Sequence, residues 1–190
     1  MNNKNFIFIG DSLTFGYGIP KKENWVNKLN EYLNFNIVNK GINGNTTTDM
    51  LMRFSEDVIK NNPSNIFIMG GTNDLLSNRD IEFITKNLQL MIEESLNYGA
   101  NVTIGIPPTL IPKDAYRLFS PSDTYEKTKE LLPILRNKLI NICINYNLKF
   151  IDFYNLSLDN LDKNIFFDGI HFNSKGQELA YAEALKVLSR

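Results

Sequence analysis

Short apolar runs alternate with stretches of helical spacing along the whole chain. Phe6-Ile7-Phe8-Ile9 has the length and the aromatic and β-branched content of a buried strand, and it stops at Gly10. Trp25, Val26, Leu29, Tyr32 and Leu33 share one helical face, which predicts a helix over about 23–34. A second short strand is expected at 35–39. The turn residues from Lys40 to Asn45 lead into Thr46-Thr47-Thr48-Asp49, which can cap a helix carrying Met50, Leu51, Phe54, Val58 and Ile59 and ending before Pro63.

Residues 65–69 and 102–106 repeat the strand pattern, with a helix over about 79–98 between them that ends at Gly99. Pro107, Pro108 and Pro112 then hold a connection reaching to about Phe119, longer than most within compact domains. Ser120-Pro121-Ser122-Asp123 reads as a helix start, and that helix is expected to kink or divide near Pro133. A fifth strand is expected at 150–153. The last helix, over about 175–188, opens on a capping-box-like Ser174-Lys175-Gly176-Gln177.

Strands separated by helices predict an α/β fold, with a parallel sheet covered on both faces by right-handed crossovers. Loops at one edge of such a sheet bring Ser12, Gly44, Asn73 and the segment containing Asp168 and His171 to a common rim, where open α/β sheets bind ligands. No repeat or linker interrupts the pattern, so a single domain over 1–190 is expected.

Composition narrows the function classes. The chain is 43% apolar and 22% charged, an ordinary globular balance, and 190 residues suffice for a core without disulfides or metals. Twenty basic against twenty-one acidic residues leave no electrostatic footprint for nucleic acid or an anionic membrane. Cys143 is the single cysteine and reads as a small core residue, so nothing asks for an oxidising compartment. The first apolar run is too short for a signal-peptide core and no later stretch reaches membrane-spanning length; a cytoplasmic location without stable membrane insertion is the expectation. Oligomeric state is not set by any of these features.

Candidate chemistry begins at Ser12, a hydroxyl delivered at the end of the first strand. Asp and Ser after a strand most often make a turn or cap, so a base is needed to change that reading. His171 is the one histidine of the chain and lies three residues after Asp168, close enough for one turn to bring carboxylate and imidazole together. A lone histidine is more often a surface or core residue. Whether residue 12 meets residue 171 is decided by the fold. Position 14 is Thr, so the G-x-S-x-G elbow is absent; no H-E-x-x-H, Cys/His cluster, P-loop or dinucleotide fingerprint occurs, and a catalytic metal or bound nucleotide has no support.

Four blocks fall at successive strand ends: G-D-S-L around Ser12, G-I-N-G-N around Gly44, G-G-T-N-D around Asn73, and D-G-I-H ending at His171. In this order they resemble the SGNH hydrolase, or GDSL esterase and lipase, superfamily. The resemblance implies a flavodoxin-like three-layer α/β/α sandwich whose five-stranded parallel sheet has the order 2-1-3-4-5. It implies a serine esterase without cofactor or metal, with Ser12 as nucleophile, His171 as base and Asp168 orienting it. The Ser12 and Gly44 N–H groups and the Asn73 amide are the implied oxyanion hole, Gly44 letting the backbone come close. Without the other blocks, Gly44 and Asn73 read as turn residues.

Asp11 is assigned to ordering the loop through backbone hydrogen bonds. A small-molecule ester is the implied partner, with thioesters or lysophospholipids as alternatives on the same site and a catalytically silent binding module as the alternative from another class. In the long connection Leu110, Ile111, Tyr116 and Phe119 either line an acyl pocket or anchor the loop, and Arg117 is a candidate for meeting an anionic group.

Overall fold

A computed structural model describes residues 5–33, 35–118 and 120–189. β1 (Asn5–Gly10) passes into the single-turn α1 (Ser12–Phe15), then a 3-10 turn at Lys21–Glu23 and α2 (Trp25–Leu29). β2 (Asn36–Gly41), α3 (Thr47–Met52), α4 (Phe54–Asp57) and β3 (Pro63–Met69) follow. Next come α5 (Thr72–Leu76), α6 (Ile81–Tyr98) and β4 (Asn101–Ile106). The chain continues with α7 (Pro112–Leu118), α8 (Asp123–Asn145), β5 (Lys149–Asp152), α9 (Phe153–Leu158) and α10 (Ser174–Leu188).

All four strand pairs are parallel and the order is β2-β1-β3-β4-β5, the expected 2-1-3-4-5. Strand alternation divides the core between two faces. Ile7, Ile9, Ile66, Ile68 and Ile104 join Met50, Leu88, Met91 and Leu135 from α3, α6 and α8 on one face. Phe6, Phe8, Phe67, Met69 and Ile151 join Trp25, Val26, Ala180 and Ala184 from α2 and α10 on the other. The result is a three-layer α/β/α sandwich. Burial on both faces is why its strands read as continuous apolar runs.

Several boundaries differ from expectation. The helix expected over 23–34 begins at Trp25 and ends at Leu29, and Asn34 lies outside the described residues. Asn24 is extended, with φ −63° and ψ 131°, and its side chain accepts the Asn27 N–H at 3.0 Å; this cap stops the preceding turn from merging with α2. The expected loop of 107–119 contains α7, because Pro112 sits at a helix start rather than in a turn. α8 is capped by Ser122, two residues later than expected, and runs unbroken through Pro133, where Leu132, Leu135 and Leu139 hold its buried face. Phe153 starts α9 instead of ending β5. α10 is capped by Asn173, which accepts the Lys175 and Gly176 N–H groups, instead of by Ser174.

Candidate active site

Ser12 is the first residue of α1, directly beyond the carboxyl end of β1. Asp11 caps this turn, its Oδ1 accepting the Leu13 N–H at 2.8 Å. The fully buried Trp25 braces it from below, donating its indole N–H to the Leu13 carbonyl at 3.0 Å while Gln177 of α10 accepts the Trp25 backbone N–H. The nucleophile candidate is thus held by both its own cap and the helices beneath the sheet.

His171 and Asp168 occupy the loop before α10. Asp168 Oδ1 accepts the backbone N–H groups of Ile170 and His171 at 3.0 and 2.8 Å, which wraps the loop around the carboxylate. Its Oδ2 lies 2.7 Å from His171 Nδ1, and His171 Nε2 lies 2.8 Å from Ser12 Oγ. A carboxylate oxygen only accepts, so the ring proton faces it from Nδ1 and Nε2 accepts from the serine hydroxyl. Burial works against the charge on Asp168, but the hydrogen bonds from the His171 ring and from two N–H groups hold its carboxyl below the usual range. Gly169, at φ +83°, lets this loop meet α7: an added Cβ would lie 2.5 Å from the Ile111 carbonyl, and the Gly169 carbonyl itself accepts the Ile111 N–H at 2.7 Å.

The remaining rim comes from β2 and β3. Gly44 has φ +77°, yet a Cβ added there would touch nothing. The positive φ calls for glycine by backbone conformation, and the space beside it is free of other protein atoms. Asn73 Nδ2 donates to the Asn45 carbonyl at 2.9 Å, and among the described residues its second amide hydrogen has no acceptor. Among the described residues neither the Ser12 nor the Gly44 N–H makes a hydrogen bond. Behind Asn73, the fully buried Asp74 accepts both the N–H and the hydroxyl of Thr47, at 2.8 and 2.7 Å, and so ties α5 to the start of α3. Burial pushes its carboxyl upward against those two bonds.

Ser12, Gly44, Asn73 and His171 open together onto a cleft of about 400 Å³. Tyr17, Leu76, Tyr125 and Ile170 contribute apolar surface to it, and Tyr17 packs on the His171 ring with centroids 4.6 Å apart. None of these four was singled out from the sequence; their apolar spacing is that of ordinary packing. Leu110 is buried in the core and Ile111 packs against the second core face, so both anchor the connection and do not line the cleft. Tyr116 packs edge-on against Tyr125, which lines the cleft, with ring centroids 5.4 Å apart. Phe119 and the side chain of Arg117 lie outside the described residues.

Asp11 orders its turn as expected, with one further property. Its Oδ2 is buried without a hydrogen-bond partner among the described residues, and burial pushes the carboxyl up to about 6 from an ordinary 3.8. The folded state therefore binds this proton more tightly than the unfolded chain. That contribution to stability is complete below about pH 4 and is lost as pH rises through about 6. Asp11→Asn keeps the acceptor for Leu13 and removes the charge, so it should raise Tm over the parent at pH 8 and give a smaller gain at pH 4. An equal Tm difference at both pH values contradicts the buried charge.

No helix among the described residues is long and apolar enough to cross a membrane. A model of the GDSL-like lipase/acylhydrolase family matches residues 8–179. The chain is 37% identical over 109 residues to the uncharacterized lipoprotein YqeF of Bacillus subtilis, covering 50% of this chain and 45% of that protein. It is 32% identical over 114 residues to an arylesterase of Vibrio mimicus, covering 56% of this chain and 57% of the arylesterase. The chain thus spans about half the length of these curated relatives. A crystal structure of a member of the lipolytic protein G-D-S-L family from Veillonella parvula superposes with a TM-score of 0.85 at 26% identity, covering 98% of this chain and 99% of that one. The family match runs from β1 into α10, taking in all four blocks at the strand ends, and the chain belongs to the GDSL-like lipase/acylhydrolase family.

Proposed function

We propose that this protein is a cofactor-independent serine esterase acting on small carboxylic esters through an acyl-enzyme. The observation that carries the reading is the line of hydrogen bonds from Ser12 Oγ through His171 to Asp168, at 2.8 and 2.7 Å, opening onto a cleft. In this reading His171 Nε2 takes the hydroxyl proton as Ser12 Oγ bonds to the ester carbonyl carbon. Asp168 stabilises the imidazolium. The tetrahedral oxyanion is met by the N–H groups of Ser12 and Gly44 and by the free amide hydrogen of Asn73. Collapse expels the alcohol, which takes the proton from His171, and water deacylates Ser12 by the same steps in reverse.

A hydrolysis panel that varies acyl length against oxygen and sulfur leaving groups tests this. The expected result is turnover of short-chain oxygen esters with an initial burst of alcohol equal to the enzyme present. Folded protein that turns over no member of the panel contradicts the esterase reading, and exclusive turnover of thioesters replaces it with a thioesterase.

The oxyanion assignment gives its own expectation. Full negative charge reaches the carbonyl oxygen only in the tetrahedral state, so Asn73 should matter to kcat more than to KM. Asn73→Ala should lower kcat by about 10²- to 10³-fold, the effect of losing one such donor. Asn73→Asp should be at least as harmful, since it sets a carboxylate where negative charge develops. An active Asn73→Asp enzyme removes Asn73 from the oxyanion hole.

A further inference from the structure

Arg53 joins α3 to α4, and its half-buried guanidinium is committed on three sides. Nε donates to Asn45 Oδ1 at 2.8 Å, Nη2 to the Gly10 carbonyl at 3.1 Å, and Nη1 to Asp57 Oδ2 at 2.8 Å. Asp57 is itself fixed by Lys40 Nζ at 3.0 Å, one residue from the end of β2. The Gly10 carbonyl also receives the Ile42 N–H at 3.1 Å, so the end of β1 and the loop after β2 share one acceptor beneath the same guanidinium.

Two of these three contacts, to Gly10 and to Asn45, lie next to groups that the esterase reading makes oxyanion donors, while Asp57 anchors the guanidinium from the third side. Gly10 is two residues before Ser12. Asn45 follows Gly44 directly, and its carbonyl holds Asn73 Nδ2 at 2.9 Å. The planar fork of an arginine can set the spacing of such acceptors where a single ammonium cannot. We infer that Arg53 is the positioning residue of the oxyanion hole, fixing the loop after β2 against the end of β1 so that Ser12, Gly44 and Asn73 point at one oxygen. The inference rests on the esterase reading. Displacing a preorganised donor by a fraction of an ångström weakens it chiefly in the transition state, so Arg53 acts on kcat without touching substrate.

The test compares Arg53→Met, Arg53→Lys and Asn45→Ala with the parent and with Asn73→Ala, measuring kcat per serine titrated by a fluorophosphonate, KM and Tm. Arg53→Met should lower kcat per titrated site by about 10- to 100-fold with little change in KM. Arg53→Lys keeps the charge facing Asp57 yet should lose most of the same factor, and Asn45→Ala, which removes only the Nε acceptor, should lose about 5-fold. In an Asn73→Ala background Arg53→Lys should cost several-fold less than alone, because one donor it positions is already gone. Full kcat in Arg53→Lys and Asn45→Ala, or losses that multiply fully with Asn73→Ala, overturn the inference. If Asn73→Ala is harmless the oxyanion reading falls and takes the inference with it; if Asn73→Ala is harmful while the Arg53 and Asn45 variants are not, only the inference falls. Asn45→Ala sits in a loop and keeps the backbone carbonyl, so it decides the matter even where Arg53→Met does not fold.

Discussion

Ser12→Ala should lower kcat by about 10⁴- to 10⁶-fold while leaving the protein folded, the largest effect expected of any single substitution here. In the esterase reading the hydroxyl is the atom that bonds to the acyl carbon, and the adjacent Asp11 carboxylate is not placed to replace it: its Oδ1 accepts from Leu13 and its Oδ2 is buried. Residual rate over water comes from the donors that remain. The cost to stability is small by comparison. The variant loses the 2.8 Å bond to His171 Nε2, worth about 1 kcal/mol, which is a Tm change of roughly 2–4 °C in a chain of this size. Purified Ser12→Ala with ester turnover near the parent level removes Ser12 as nucleophile.

Asp168→Asn should lower kcat by about 10⁴-fold at neutral pH with little change in KM. The side chain keeps its size, and its oxygen can still receive the N–H groups of Ile170 and His171. Its amide then faces His171 Nδ1 with a donor, so that nitrogen must accept and the ring proton moves to Nε2, where it meets the Ser12 hydroxyl and cannot take a proton from it. Turning the amide around instead sets two backbone N–H groups against an NH₂. Either arrangement breaks the chain of proton transfer without removing a group from the cleft. Turnover within tenfold of the parent means that Asp168 does not orient the base.

Much of this arrangement is legible in the amino-acid sequence, for identifiable reasons. Strands buried on two faces leave continuous apolar runs such as Phe6 to Ile9 and Ile66 to Met69, and the strand ends carry the four blocks that contain Ser12, Gly44, Asn73 and His171. Strand order is not written in periodicity; it came from the family resemblance and matches the sheet. Less legible are features whose cause lies far along the chain. Arg53 is four residues before Asp57 and reads as an exposed helical ion pair, whereas its other acceptors are the Gly10 carbonyl, 43 positions away, and the Asn45 side chain in the preceding loop. Asp74 looks like the end of a turn, but its carboxylate is spent on Thr47. Pro112 reads as loop punctuation, yet it starts α7, whose Ala115 is buried beneath the His171 loop, a contact no local signal announces.

The esterase reading makes Ser12 a nucleophile activated by His171 and Asp168. Its most direct test is the reaction of folded protein with a fluorophosphonate, followed by intact mass and peptide mapping. One adduct per chain is expected, on Ser12, absent from Ser12→Ala and formed far more slowly in Asp168→Asn. Folded protein that takes up no reagent, or carries it on another residue, means that Ser12 is not an activated nucleophile.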